Sequence, residues 1–221
     1  MIGRLMERLI LILVAVLLGL AAGADPASGQ PNIVVIVADD LPPHMVGFMP
    51  DSNGDALTPN LDGLAAEGLA FTNLHSPSPV CTPSRYALLT GNYASRATNE
   101  TFLSRTVEDG GQTVVYFNTK ITVSDDNLAK RFKAAGYATG AVGKNHVIEV
   151  PGFEGLPYMA GLDEPGTRRR LASNAEVLRD AYHAAGFSYA EALYYGNPDS
   201  NGIRALASHN QDWITDAACT F

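Results

Sequence analysis

The chain has 221 residues, of which 46% are hydrophobic and 17% are charged. This composition is typical of one globular domain and excludes a disordered chain. The formal net charge of −8 argues against a general nucleic-acid-binding surface, although it is compatible with a locally positive pocket. We therefore expect no nucleic-acid partner.

The first 24 residues have the pattern of a secretory signal peptide. Arg4 and Arg8 precede an apolar run from Leu9 to Leu20, and Ala22-Gly23-Ala24 supplies small residues for a cleavage site. An uncleaved anchor is the alternative, but the run is short for a membrane span. The pattern predicts cleavage after residue 24, a secreted or periplasmic location, and no stable membrane anchor.

An apolar segment at residues 32–38 is continuous and rich in β-branched residues. It predicts a central parallel strand that is buried on both faces. Asp39 and Asp40 follow it directly, and ligands of open α/β sheets bind at the carboxyl ends of strands. Two adjacent carboxylates can bind a hard cation such as calcium or magnesium. The alternative for this pair, judged alone, is a solvated turn.

Two helices are predicted from their boundary residues. Thr58 and Pro59 provide an N-cap and a first helical residue, and the helix should run to Gly68 with Leu61 and Leu64 facing the core. Ser124 or Asp125 can cap a second helix that ends before Gly136.

The segment CTPSRYALLTG at residues 81–91 predicts a loop that turns into a short helix. Pro83 suits a first helical position, Leu88 and Leu89 would form the buried face, and the glycine at 91 would end the helix. Cys81 would then lie just before a helix N-terminus, which favours negative charge, and Arg85 would add a guanidinium suited to an oxyanion. Cys81 alone is better explained as a packed free cysteine.

Residues 137–142 predict a strand that follows a helix and a glycine, so it should lie parallel to the first strand. Its carboxyl end would bring Lys144 and His146 to the edge that also receives the Asp39-Asp40 pair and the start of the Cys81 helix. For Lys144 alone a solvated surface position is the alternative, and for His146 a loop position.

Two of these segments resemble the signatures of the sulfatase family, in the alkaline-phosphatase-like superfamily. Cys81-Thr-Pro-Ser-Arg85 followed by Leu-Thr-Gly matches the first signature, and residues 136–146 match the second, with Asn145 where the family usually has an aromatic residue. The resemblance implies an α/β fold with a mostly parallel central sheet flanked by helices. It covers nearly all of residues 31–221. We therefore assign residues 25–221 to the N-terminal portion of a sulfatase catalytic domain, which looks cut at its C-terminus.

The resemblance also implies the chemistry of the nucleophile. A formylglycine-generating enzyme would oxidise Cys81 to formylglycine, an aldehyde whose hydrate attacks the sulfur of a sulfate ester. A divalent metal, calcium in the first place and magnesium as the alternative, would be bound by Asp39, Asp40 and residue 81. Export would otherwise allow Cys81 to pair with Cys219, which the conversion excludes.

The remaining roles that the resemblance implies belong to three side chains. Arg85 would hold the hydrated aldehyde, Lys144 would bridge it to a sulfate oxygen, and His146 would take the proton that leaves when sulfate is expelled. The product would be an alcohol and inorganic sulfate. The later metal ligands and the general acid of the family have no counterpart here, so we expect this chain alone to be essentially inactive, in that it should not turn over sulfate esters at a normal rate. Two alternatives stay open: a phosphonate or phosphodiester hydrolase of the same superfamily, and a non-catalytic sulfatase-like fragment.

Overall fold

The structure is a computed structural model, and it describes residues 29–54, 57–197, 203–206, 208 and 210–221. The signal peptide predicted at residues 1–24 lies outside the described residues. The chain divides into two compact units, residues 1–37 and residues 38–221.

In the first unit, the described residues 29–37 belong to no helix or strand. The side chains from Ile33 to Val37 are between 48% and 83% exposed. The predicted buried strand at 32–38 is therefore wrong for this structure. A central strand needs a hydrogen-bonded neighbour on each side, and the sheet that the described residues form contains two other strands.

The second unit is an α/β structure, as the resemblance implied. Its described residues form two parallel strands, Gly140–Lys144 (β1) and Tyr189–Tyr194 (β2). The described residues of this unit also form the α-helices Pro59–Glu67 (α1), Cys81–Thr90 (α2), Glu100–Glu108 (α3), Leu128–Ala134 (α4), Pro165–Ala184 (α5) and Gln211–Thr220 (α6). None of the helices in the described ranges combines the length and apolarity needed to cross a bilayer.

Helix α5 connects β1 to β2, so these three elements form a β-α-β unit. Gly140 pairs with Tyr189 and Lys144 pairs with Tyr194, and the register shifts after Val142. Ala192 is the extra residue on β2 and has a positive φ of 47°. Such a bulge redirects the side chains that follow it. Strand β2 was not predicted from the sequence, because its residues do not alternate between apolar and polar.

The segment that follows β1 is held from both sides by backbone hydrogen bonds. Asn145 N donates to Tyr194 O at 2.9 Å, and His146 N donates to Tyr195 O at 2.8 Å. On the other side, Ile121 N donates to Val147 O at 2.9 Å. Residues 145–147 therefore continue the ladder beyond β1 and are fixed in place.

The hydrophobic core joins this segment to helix α2. Its buried members include Tyr86 of α2, Ile121, Val147 and Ile148 beside β1, and Leu178 and Tyr182 of α5. Because the same core contains Tyr86 and residues 147–148, helix α2 and the segment that follows β1 have a common support.

The two predicted helices form, with changes in detail. Helix α1 lies between Thr58 and Gly68 as predicted, but Leu61 and Leu64 are exposed, so their predicted burial is wrong. Helix α4 begins later than predicted and is capped by Asn127, whose side chain accepts a hydrogen bond from Lys130 N at 3.2 Å.

Candidate active site

Helix α2 carries the candidate nucleophile in its first turn. Cys81 is the first helical residue, not the residue before the helix as predicted, and Pro83 is the third. Gly91 ends the helix in a left-handed conformation, with φ of 69°. Thr82, Pro83 and Tyr86 form the buried face, whereas Leu88 is exposed, so the predicted burial of Leu88 is wrong.

Cys81 contacts the imidazole of His146. Its Sγ atom lies 3.0 Å from His146 Nδ1, although the two residues are 65 positions apart in the chain. The ring of Phe117 stacks on the imidazole, with centroids 4.9 Å apart. Cys81 and Cys219 are both free thiols. The imidazole is thus held between an aromatic ring and the thiol.

Asp39 connects the second cluster of predicted site residues. Its carboxylate forms an ion pair with Lys144 Nζ through Oδ2, and its Oδ1 lies 3.9 Å from Arg85 Nη2. Arg85 also donates a hydrogen bond from Nη1 to Lys144 O at 3.0 Å. Lys144 Nζ donates further to Asn197 Oδ1 at 2.6 Å. Asp39, Arg85 and Lys144 therefore meet at the carboxyl end of β1.

Thr82 and Lys120 also contact His146, and neither was predicted from the sequence as a site residue. The carbonyl oxygen of His146 accepts hydrogen bonds from Thr82 Oγ1 at 2.9 Å and from Lys120 Nζ at 3.3 Å. Lys120 also lies over the ring of Tyr195, 5.6 Å from its centroid. Thr82 was visible as the variable position of the first signature, whereas Lys120 stands in a segment without a motif.

Asn145, the departure from the family pattern, is 1% exposed. Its Oδ1 accepts hydrogen bonds from Ile148 N at 2.8 Å and from the hydroxyl of Tyr182 at 3.2 Å, and its Nδ2 donates to Ile148 O at 2.9 Å. The amide therefore stabilises the turn that follows Lys144 and carries His146.

The charges around residue 81 are mainly positive. Burial lowers the pKa of His146, and the charges of Lys144, Lys120 and Arg85 act in the same direction against Asp39, so that the pKa lies at about 4. Burial also lowers the pKa of Lys120, although Cys81 and Glu149 act in the opposite direction. A neutral imidazole among cations can accept a proton near an anionic substrate.

The carboxyl of Asp39 is influenced by two opposing effects. Burial raises its pKa, but the hydrogen bond and the charge of Lys144, together with Arg85 and His146, outweigh burial, so the pKa lies below its usual value. Asp39 is therefore ionised at neutral pH and compensates part of the positive charge of the site.

The pKa of His146 predicts a loss of stability in acid. The unfolded histidine titrates near 6.5 and the folded one near 4, so between these pH values the unfolded state binds the extra proton. Stability should therefore fall as pH falls from 6.5 to 4. His146→Gln should flatten this part of the curve of melting temperature against pH. The exposed His75→Gln is the matched control, and an equal flattening in that variant would contradict the assignment.

The described residues do not form a complete metal site. They contain no group of three or more His, Cys, Asp or Glu side chains arranged to hold an ion. Both oxygens of Asp39 face cations, and Asp40 is exposed with a positive φ of 54°. Calcium and magnesium take six or more oxygen ligands, so these two carboxylates could supply only part of a coordination sphere.

The fold and the site together define an α/β protein that gathers a cysteine, an imidazole and three cationic side chains at the end of a parallel strand. A sequence profile of the Sulfatase family matches residues 31–205. Because this match covers well over half of the sequence, the chain belongs to the sulfatase family.

Individual relatives agree with the family match. N-acetylgalactosamine-6-sulfatase of Homo sapiens is 37% identical over 142 residues, which are 64% of this chain and 26% of that protein. Arylsulfatase A of Homo sapiens is 39% identical over 147 residues, or 66% and 27% of the two chains. Steryl-sulfatase of Mus musculus is 34% identical over 180 residues, or 78% and 26%. The chain spans about a quarter of the length of these curated relatives.

Proposed function

We propose that the protein hydrolyses a sulfate ester to an alcohol and inorganic sulfate, with residue 81 acting as formylglycine. The observation that carries this proposal is the 3.0 Å contact between Cys81 Sγ and the neutral imidazole of His146, beside Arg85 and Lys144. Sulfatase relatives support the reaction class. The Sγ atom stands in for an oxygen of the hydrated aldehyde, since both are attached to Cβ.

When present, the hydrated aldehyde would supply one hydroxyl that attacks sulfur as the bond from sulfur to the alcohol oxygen breaks, and a second whose deprotonation re-forms the aldehyde as the bond from Cβ to the sulfate oxygen breaks. Arg85 lies one turn along α2 and orients residue 81 by charge and hydrogen bonding. Lys144, which is 9% exposed, stabilises the negative charge on the sulfate oxygens. His146 Nδ1 accepts the proton of the second hydroxyl. Asp39 keeps Lys144 at the end of β1.

The first prediction of this proposal concerns maturation. In cells that contain a formylglycine-generating enzyme, Cys81 should lose its sulfur in a two-electron oxidation of Cβ, while Cys219 keeps its thiol. Peptide mass spectrometry measures both residues in one digest, with Cys219 as the internal control. A free thiol at residue 81 in such cells, or a disulfide between the two cysteines, would remove the proposed nucleophile.

A second prediction concerns metal. We propose that Asp39 and Asp40 bind calcium, with magnesium as the alternative, and that this chain binds the ion weakly because water must fill most of the coordination sphere. Calorimetry should detect weak binding that disappears in Asp39→Asn/Asp40→Asn and persists in the control Asp51→Asn/Asp55→Asn. Tight binding, or binding that survives the first double substitution, contradicts the assignment.

The alternatives are tested by turnover. An activated aryl sulfate should react faster than an aryl phosphodiester, whereas the reverse order favours the phosphodiester hydrolase. We expect the isolated chain to turn over slowly, because the described residues supply no complete metal site. Absence of any turnover in the matured chain favours the non-catalytic alternative. Export after cleavage of residues 1–24 is also proposed, and N-terminal sequencing of the secreted protein tests it.

A further inference from the structure

The backbone of His146 has a conformation that is unusual for a residue with a side chain. Its φ of 54° lies in the left-handed region. Such a conformation costs free energy for a non-glycine residue and persists where the surrounding structure holds it. The orientation of the imidazole toward residue 81 therefore depends on the groups that fix the backbone of His146.

The contacts of His146 identify these groups. Its N–H donates to Tyr195 O at 2.8 Å, which continues the sheet ladder. Its carbonyl oxygen accepts from Thr82 Oγ1 at 2.9 Å and from Lys120 Nζ at 3.3 Å. A carbonyl oxygen has two lone pairs, so these two side chains use its full acceptor capacity.

Thr82 is placed to couple the nucleophile to the base. It is fully buried and directly follows Cys81 in the first turn of α2. Cys81 contacts the ring of His146, while the hydroxyl of Thr82 contacts its carbonyl. Two consecutive residues of α2 therefore contact His146 at two points, which restricts any shift of the helix against this residue.

Lys120 provides the second anchor from a separate part of the chain. Its own N–H donates to Asn99 Oδ1 at 2.9 Å, which ties the lysine backbone to the start of α3. Its ammonium group lies 3.3 Å from the His146 carbonyl oxygen and 5.6 Å from the centroid of the Tyr195 ring. The segment that contains Lys120 thus supports the same carbonyl from outside α2.

We infer that Thr82, assisted by Lys120, is a positioning residue that fixes the backbone of His146 so that its imidazole faces residue 81. The positioning role in catalysis rests on the proposed function, whereas the conformational role does not. Thr82→Val is the informative substitution, because valine keeps the shape of the side chain and removes the hydroxyl donor. Thr82→Ser restores a donor.

The conformational role is measured by NMR on the isotope-labelled chain. In Thr82→Val, the amide of His146 should exchange about fivefold to tenfold faster relative to the amide of Asn145, which donates to Tyr194 in the same ladder. The nuclear Overhauser effect between the Phe117 and His146 rings should weaken. Thr82→Ser should restore both. If the substitution only lowered the stability of the whole fold, the exchange rates of both amides would rise by the same factor.

Thr106→Val is the matched control, because Thr106 donates a similar hydrogen bond to Phe102 O at 3.0 Å within α3. It should leave the His146-to-Asn145 ratio unchanged. If Thr82→Val does not fold, Lys120→Met removes the other donor to the same carbonyl and should change the same ratio. An unchanged ratio in the folded Thr82 or Lys120 variant overturns the inference, as does an equal change in Thr106→Val.

The catalytic role is measured in the matured protein with an activated aryl sulfate. Thr82→Val should lower kcat about fivefold to tenfold with little change in KM, because His146 acts after the ester has bound. Thr82→Ser should recover kcat. If the wild-type matured protein shows no turnover while the NMR changes occur, the proposed function fails and the conformational role stands. A Thr82→Val variant that keeps full kcat overturns the catalytic part.

Discussion

Lys144→Met should weaken both the fold and the activity, and a second substitution should separate the two effects. Lys144 is nearly buried and pairs with Asp39, whose side chain is 30% exposed. Removing one partner of a buried ion pair typically costs about 3–5 kcal/mol. Water around Asp39 and the nearby Arg85 reduce this cost, so we expect about 2 kcal/mol in the free energy of unfolding.

The double variant Asp39→Asn/Lys144→Met tests that explanation. It removes the unpaired carboxylate and should recover most of the lost free energy of unfolding in urea denaturation. Activity should not recover, since the loss of one preorganised charge donor costs about 10²–10³-fold in rate. The exposed Lys133→Met is the control and should change neither quantity. If the double variant is as unstable as Lys144→Met, the ion pair is not the cause.

The helix of the first signature could be predicted from the sequence, because its boundaries depend on residues within the segment itself. Pro83 and Gly91 favour a helix between them by their own backbone preferences, and the structure forms that helix from Cys81 to Thr90, starting two residues before Pro83. The approach of Asp39 to Arg85 and Lys144 was expected from the rule that strand ends share an edge, but Asp39 reaches these side chains without following a strand. The structure brings these side chains together, while their catalytic roles stay predictions.

Other features of the structure could not be predicted from the sequence, because they depend on contacts with residues that are distant in the chain. The apolar pattern of residues 32–38 predicts burial, yet burial requires neighbouring strands that hydrogen-bond to the segment, and these cannot be inferred from the segment itself. Strand β2 has no alternation of apolar and polar residues, and it is defined by its pairing with β1. The folded structure brings Lys120 and Asn197 into contact with the site, and no sequence motif marks either residue.

His146→Gln should separate the two halves of the proposed reaction. The alcohol leaves in the first half, when a hydroxyl on residue 81 attacks sulfur, and this half needs Arg85 and Lys144. Sulfate leaves in the second half, when the other hydroxyl transfers its proton to the neutral imidazole of His146. Glutamine keeps a polar side chain of similar length but cannot accept this proton at neutral pH.

We therefore expect His146→Gln to release alcohol in a burst of about one equivalent per matured protein, while sulfate release slows by about 10²–10⁴-fold, the usual value of a positioned base. Rapid-quench measurement of both products from an activated aryl sulfate gives the two rates separately. His75→Gln, in which an exposed histidine is replaced, should release both products at the wild-type rates. If alcohol and sulfate slow down together in His146→Gln, then His146 acts in the attack on sulfur or in substrate binding, and the 3.0 Å contact with residue 81 would have to be assigned to the first half of the reaction.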